Sequence, residues 1–299
     1  ALELFAADVD VVTYEFENVP AATAMILSAR RPVLPNTKVL ETTQDRIAEK
    51  DFVTALGIPT APYASVASAQ DLIDAIGKIG LPAVLKTRRF GYDGKGQILV
   101  REGDDPRIIW QGLATKSAIL EGFVPFEREV SVIAARGANG EVVCFDVTEN
   151  VHKDHILKTS HAPAAISEAL AAQARDIAGK IATALDYVGV LAVELFVVTS
   201  GKEPTLLVNE IAPRVHNSGH WTLDGASVSQ FEQHIRAIAG WPLAQPVRHG
   251  SVTMTNLIGN EVLDYGQWLT RPGATVHLYG KGTPRPGRKM GHVTEVKPR

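Results

Sequence analysis

One cysteine in 299 residues leaves no intrachain partner for a disulfide, so the fold must be held by a buried core, which a chain of this length can supply. That cysteine, Cys144, lies in the strand-like run Glu141-Val-Val-Cys-Phe-Asp-Val147, where a small buried hydrophobe is expected and a nucleophile is not. A reducing, cytoplasmic setting fits. The sequence also lacks any apolar run approaching the roughly 20 residues of a membrane span, and nothing in it resembles a secretory signal. It has no basic run, and its net charge is -3, which together argue against nucleic acid as the main partner. Internal repeats and low-complexity segments are missing too, and the length suggests two or more lobes.

What is present alternates between helical and strand patterns. The chain opens within an amphipathic stretch, Ala1–Ala7, followed by an expected buried strand over Asp10–Phe16, a helix over Ala21–Arg30 and a short strand at Pro32–Leu34. A helix from about Thr43 to Leu56 is closed by Gly57 and Pro59. Ser68 to Ile79 reads as an amphipathic helix stopped by Gly80, and Leu81–Thr87 as a strand carrying Lys86. Next come the glycine-rich Phe90-Gly-Tyr-Asp-Gly-Lys-Gly-Gln97 and strands at Ile98–Val100 and, after a short helix beyond Pro106, Ser117–Gly122. Glycines at 91, 94 and 96 free the backbone to approach a phosphate, although glycine-rich hairpins are also common; the nearby Lys86 raises the phosphate reading to parity. Asn139-Gly140 signals a hairpin between strands at Glu129–Ala135 and Glu141–Val147. An alanine-rich helix over Ser167–Leu185 leads to strands at Val190–Val198 and Pro204–Ile211, then to a helix at Ser227–Ala239 and strands at Ser251–Ile258 and Thr275–Leu278. The tail Lys281–Lys289 is a proline-glycine loop with four cations, either solvated or an anion grip.

Asn209-Glu-Ile-Ala-Pro-Arg-Val-His-Asn-Ser-Gly-His220 concentrates a carboxylate, an arginine and two histidines behind an apolar strand, a composition that burial would penalise without partners or a ligand. If residue 202 is the hairpin midpoint, Glu194 stands opposite Glu210. Opposed carboxylates destabilise a strand pair unless a cation bridges them, and magnesium is usually held by carboxylates, waters and phosphates. A register slipped by one residue would instead send the two glutamates to opposite faces.

Tyr14-Glu-Phe-Glu-Asn-Val-Pro20, Gly91–Gln97, Asn209–Trp221 and Arg285-Pro-Gly-Arg-Lys-Met-Gly-His292 together resemble the ATP-grasp enzymes, and within them the N5-carboxyaminoimidazole ribonucleotide synthetases. The resemblance covers nearly the whole chain. It implies an α/β ATP-grasp fold with a truncated Rossmann-like N-terminal lobe (1–42), a two-lobed ATP-grasp domain (43–245) and a small β-rich C-terminal lobe (246–299), in a homodimer. The family's opening strand and glycine loop, and part of its C-terminal portion, are not in this sequence. The implied reaction joins bicarbonate to the amine of 5-aminoimidazole ribonucleotide at the expense of ATP through carboxyphosphate, largely by positioning and charge neutralisation.

By the same resemblance, Arg46 and Lys86 with Gly91, Gly94, Gly96 and Gln97 lie along the ATP phosphates. Glu121, Gly122, Phe123 and Val124 line the adenine edge, Glu129 takes the ribose hydroxyls and His152 approaches the nucleotide. Glu194 and Glu210, with Asn209 beside them, match the magnesium positions. Arg214, His216, Asn217 and Ser218 hold bicarbonate and carboxyphosphate. Tyr92, Asp93 and Lys95 border the aminoimidazole ring, Lys281 and Arg288 bind its ribose phosphate, and Glu15 is a weaker candidate there. The alternatives are another ATP-grasp ligase acting on a purine precursor or a carboxylic acid, and a catalytically silent nucleotide-binding scaffold.

Overall fold

The computed structural model describes residues 1–91, 94–199, 201 and 203–298. The first lobe holds helices α1 (Leu2–Ala7), α2 (Ala21–Ser28) and α3 (Thr37–Thr43), which enclose Ala6, Val12, Ala24, Leu27, Val33 and Leu40. The strands expected at 10–16 and 32–34 do not form as a ladder. Among the described residues, Val12 and Val33 make one parallel bridge and no ladder. Parallel strands are stable inside larger sheets covered on both faces, and two short segments alone do not provide that.

The second lobe begins with α4 (Arg46–Ala55), whose N-cap Asp45 accepts the Ile47 amide at 3.0 Å, and continues through β1 (Tyr63–Val66), α5 (Ala69–Ile79), β2 (Ala83–Thr87), β3 (Gln97–Val100), α6 (Pro106–Leu113) and β4 (Ala118–Gly122). Its sheet runs β1-β4-β2-β3, antiparallel throughout. Ser68 caps α5 by accepting the Asp71 amide, and Gly80 leaves it at φ +87. Leu72 and Ala75 of that helix pack on Val66, Leu85, Val100 and Leu120.

The third lobe contains β5 (Arg128–Arg136), β6 (Val142–Cys144), β7 (Thr148–Lys153), β8 (Ile156–Ala162), α7 (Glu168–Ala184), β9 (Gly189–Val198) and β10 (Thr205–Ala212). Then follow α8 (Thr222–Gly225), α9 (Gln230–Ile238), β11 (Gly250–Ile258), α10 (Gly266–Leu269), β12 (Ala274–Leu278) and β13 (Lys289–Pro298). All the strands join one sheet in the order β10-β9-β5-β7-β8-β11-β13-β12, with β6 beside β5. The β-rich C-terminal segment therefore continues the sheet through the β8–β11 pairing. α7 covers one face through Ala174, Ala178 and Ile181 against Val132, Leu191 and Val193; Trp221 and Val228 cover Ile133, Val190 and Ala192 on the other. With both faces covered, β5 and β9 are apolar almost without alternation.

The sequence reading assigned neither β1, the β7–β8 hairpin nor β13. The turn of that hairpin holds Asp154 at φ +52 and His155 at φ +62, so its two left-handed positions carry no glycine to announce them.

Candidate active site

The lobes enclose a cleft of about 1130 Å³ whose floor is the β9–β10 hairpin. Beyond the hairpin loop, of which residues 200 and 202 lie outside the described chain, the ladder pairs Thr205 with Val198 and Val208 with Leu195. Continued unbroken, that register would set Asn209 against Glu194. A bulge between Val208 and Glu210 shifts it by one residue, so Glu210 pairs with Glu194 as expected. Glu194 is 16% and Glu210 39% exposed at the side chain.

β10 is an edge strand, and α4 supplies what its outer side lacks. Arg46, Glu49 and Lys50 fall on one helix face at i, i+3 and i+4. Arg46 Nη1 donates to Glu210 Oε2 at 3.1 Å, the Ile211 amide donates to Glu49 Oε2 at 3.1 Å, and Lys50 Nζ donates to the Asn209 carbonyl at 3.1 Å. Lys86 Nζ donates to Glu121 Oε2 at 2.8 Å, and Lys50 Nζ lies 3.8 Å from the other oxygen. Burial pushes Glu49 up to about 8, with Glu210 adding to it and Arg46 and Lys50 opposing. Burial likewise lifts Glu194 to about 8, reinforced by Glu210. Burial also works against the Glu121 anion, but Lys86 and Lys50 outweigh it and hold the carboxyl near 2. Glu210 falls too, because Arg46 and Lys86 prevail over burial. The floor thus presents one firm anion, Glu210, beside an acid, Glu194, that resists ionising.

His216 faces this pair, its Nε2 at 3.2 Å from Glu194 Oε1. Burial, then Arg214, depresses its pKa to about 3. The Ser218 amide donates to His216 Nδ1, so that nitrogen carries the lone pair and Nε2 the proton directed at Glu194. The Ser218 hydroxyl, 2.9 Å from Nδ1, must therefore donate to it. Behind it the Ser131 hydroxyl donates to Ser218, the Asn150 amide to Ser131 and the Ser160 hydroxyl to Asn150, all buried. Ser218 is wholly buried in this chain and braces His216. Asn217 exchanges two hydrogen bonds with Asn256 of β11, at 3.1 and 2.6 Å.

Gly91, Gly94, Lys95, Gln97, Gly122, Phe123, Val124, Glu129, His152 and Asn209 also line the cleft. Glu121 lines it with its side chain engaged by the lysines, so it reaches the cation cluster more than the apolar slot formed by Val124, Phe126 and Phe196. Phe126 and Phe196 stack with centroids 4.6 Å apart. His152 Nδ1 meets the Glu129 carboxylate; burial lowers the imidazole's pKa, but the bond to and charge of Glu129 raise it above its usual value. In the glycine loop a Cβ on Gly94, at φ +74, would stand 2.5 Å from His155 Cβ, so the loop tip packs on the β7–β8 turn. Gly96 backs onto Thr87 in the same way, with 2.8 Å to its Oγ1, and is not among the cleft-lining residues. Tyr92 and Asp93 lie outside the described residues.

Arg214, Glu15, Lys281 and Arg288 sit apart from the cleft lining. Arg214 Nη2 donates to Glu17 Oε1 at 3.0 Å, and its Nε bonds the other oxygen. Glu15 is exposed and acts electrostatically on both Arg214 and Lys281. Lys281 Nζ donates to the Lys289 carbonyl at 3.0 Å, and Arg288 Nη1 to the Lys281 carbonyl at 3.3 Å, which draws the cations of the proline-glycine loop together. Lys289, at the start of β13, lines the cleft and acts on Glu194 and His216, linking the two regions. Sequence reasoning missed Glu17, Glu49, Lys50 and the buried Ser131–Asn150–Ser160 series, and it placed Lys289 only among the four cations of the proline-glycine loop. For Glu49 and Lys50, the helical spacing from Arg46 was an available signal.

Three domain families match along the chain: a ribonucleotide synthetase preATP-grasp domain over residues 1–44, an ATP-grasp domain over 51–231 and a phosphoribosylaminoimidazole carboxylase C-terminal domain over 252–299. The chain is 52% identical over 301 residues to the N5-carboxyaminoimidazole ribonucleotide synthase of Brucella melitensis, covering all of this chain and 82% of that protein. The chain belongs to the N5-carboxyaminoimidazole ribonucleotide synthase family. The Pseudomonas aeruginosa synthase is 47% identical, with 98% of this chain and 79% of that one covered. Among solved structures, the Thermus thermophilus synthetase superposes with TM-score 0.90 at 48% identity, over 99% of this chain and 79% of that one. The Aspergillus clavatus synthase, solved with ADP and 5-aminoimidazole ribonucleotide, gives 0.92 at 30% identity over the same shares. The ATP-grasp fold expected from the sequence is borne out, and so is the ligase family.

Proposed function

We propose that the cleft carboxylates 5-aminoimidazole ribonucleotide with ATP and bicarbonate, giving the N5-carboxy product, ADP and phosphate. The observation that carries this reading is the floor itself: opposed Glu194 and Glu210 with Arg46, Lys86, Lys289 and His216 around them, in a family whose solved members bind ADP and this ribonucleotide. Adenine enters the slot beside Phe126 and Phe196, Glu129 meets the ribose, and the phosphates run toward Arg46, Lys86 and the glycine loop. A carboxylate pair that resists double ionisation fits magnesium, which would be held by Glu194 and Glu210 and would neutralise charge on the β- and γ-phosphates.

A bicarbonate oxygen attacks the γ-phosphorus as the bond to ADP breaks. The ribonucleotide amine then attacks the carbonyl carbon of carboxyphosphate, phosphate leaves, and the amine releases a proton. His216, neutral and with Nε2–H fixed toward the floor, offers a hydrogen bond to the transferring group. Arg214, braced by Glu17, and Asn217, braced by Asn256, orient the planar anion at the cleft's edge. Lys281 and Arg288 take the ribonucleotide phosphate. ADP release should require the ribonucleotide and rise with bicarbonate. Equal turnover with an unrelated amine would refute the assignment.

A further inference from the structure

Asp224 of α8, His277 of β12 and His292 of β13 come together outside the cleft, none of them among its lining residues. His277 and His292 are register partners across the β12–β13 ladder, and their rings stack 4.5 Å apart at 16°. Asp224 Oδ2 lies 2.9 Å from His277 Nε2. One donor atom from each residue lies within 4.8 Å of the others. We propose that these three residues bind a divalent cation of the zinc class, with water in the fourth position.

A histidine–carboxylate hydrogen bond under a stacked ring would account for His277 and Asp224 alone. It leaves His292 unexplained. That residue is 1% exposed, and its Nε2 has no hydrogen-bond partner among the described residues. The surrounding bonds show which proton state this nitrogen has. Asn217 Nδ2 can only donate, so His220 Nδ1, which it meets at 3.3 Å, is an acceptor. Tyr279 therefore donates its hydroxyl hydrogen to His220 Nδ1 at 2.9 Å, leaving the phenolic oxygen to accept from His292 Nδ1–H at 2.7 Å. The proton of His292 is thus on Nδ1, and Nε2 carries a buried, unsolvated lone pair. An imidazole with one nitrogen fixed as a donor and the other bare is the state in which histidine ligates metals.

Two imidazoles and one carboxylate suit zinc, whereas magnesium prefers oxygen. Donors around tetrahedral zinc stand about 3.4 Å apart for bonds near 2.1 Å, so the 2.9 Å Asp224–His277 pair opens slightly, the wider separations, up to 4.8 Å, close by at most about 1.4 Å, and the stacked rings turn so that their lone pairs converge. Metal binding at His277 Nε2 displaces the proton held there; as the side chain is 31% exposed, that proton relocates through solvent to Nδ1 and the ring stays neutral. Tyr279 and His220 connect the site to Asn217, so the metal would pin β12 and β13 to the turn that carries the cleft residues.

Calorimetric titration of the chelator-treated protein with zinc chloride, in excess magnesium to occupy the cleft carboxylates, should show one tight site. Asp224→Asn and His277→Gln, both at partly exposed positions, should each weaken it at least roughly tenfold, because even losing an outer partner of a metal ligand costs about 10- to 100-fold. Tyr279→Phe should also weaken it by about 10-fold or more, since it frees the His292 tautomer without removing a ligand. Thermal melts of each variant report whether it is folded. Zinc binding that is absent from the folded wild type, or unchanged in both folded ligand variants, overturns the proposal.

Discussion

Replacing Glu210 by Gln should separate stability from metal binding. The substitution removes the charge that helps lift Glu194 and Glu49 to about 8. Because these carboxyls titrate higher in the folded chain than unfolded, the folded form is the stronger proton binder: the contribution is fully present below about pH 4.5 and is lost as pH rises toward 8. Each unit by which losing Glu210 lowers one of these titrations returns about 1 kcal/mol at pH 8, approaching about 1.4 kcal/mol at higher pH. Against this stands the Arg46–Glu210 pair, whose carboxylate is more than a third exposed and which is worth about 0.2–1 kcal/mol after solvent screening. Relief of repulsion therefore wins. Without ligand at pH 8, the variant should melt at or above wild type, and the difference should shrink at pH 5, where Glu194 and Glu49 are protonated in both. Magnesium-ADP at a hundredfold its Kd stabilises wild type by about 2.7 kcal/mol, and this gain should nearly vanish in the variant along with turnover. A variant that melts far below wild type at pH 8 yet gains the full ligand shift would refute both the repulsion and the metal assignment.

Replacing Lys281 or Arg288 by Ala should weaken ribonucleotide binding roughly 10- to 100-fold, for a lost charged hydrogen bond of about 1.5–3 kcal/mol, with ATP affinity unchanged by calorimetry. Lys50→Met should destabilise by about 3–5 kcal/mol in denaturant unfolding, since it strips a buried cation from Glu121 and the Asn209 carbonyl; a loss under 1 kcal/mol would show that the network stands without it. Gly94→Ala forces a Cβ against His155 and a strained φ, so KM for ATP should rise in steady-state assays while the melting temperature moves little. Unchanged KM would mean the loop tip does not need that contact.

The local elements were legible because their signals are local. Ser68 and Gly80 bound α5, Asn139-Gly140 turns β5 into β6, and the apolar run of β9 reports a strand covered on both faces. The strands at 10–16 and 32–34 were over-read because a strand pattern does not say whether neighbouring strands exist to complete a sheet. Counting from the hairpin put Glu194 opposite Glu210, but the ladder near the turn favours Asn209, and a bulge makes the count correct. That bulge answers to the edge of β10, where α4 lends Arg46, Glu49 and Lys50 to groups that no further strand satisfies. The motifs determined the chemistry because carboxylates, cations and glycines must be encoded as residue types. Which of them meet was decided by long-range packing: Arg214 with Glu17 across 197 positions, Asn217 with Asn256, and Asp224 with His277, because no sequence period relates side chains that approach through different elements of a sheet.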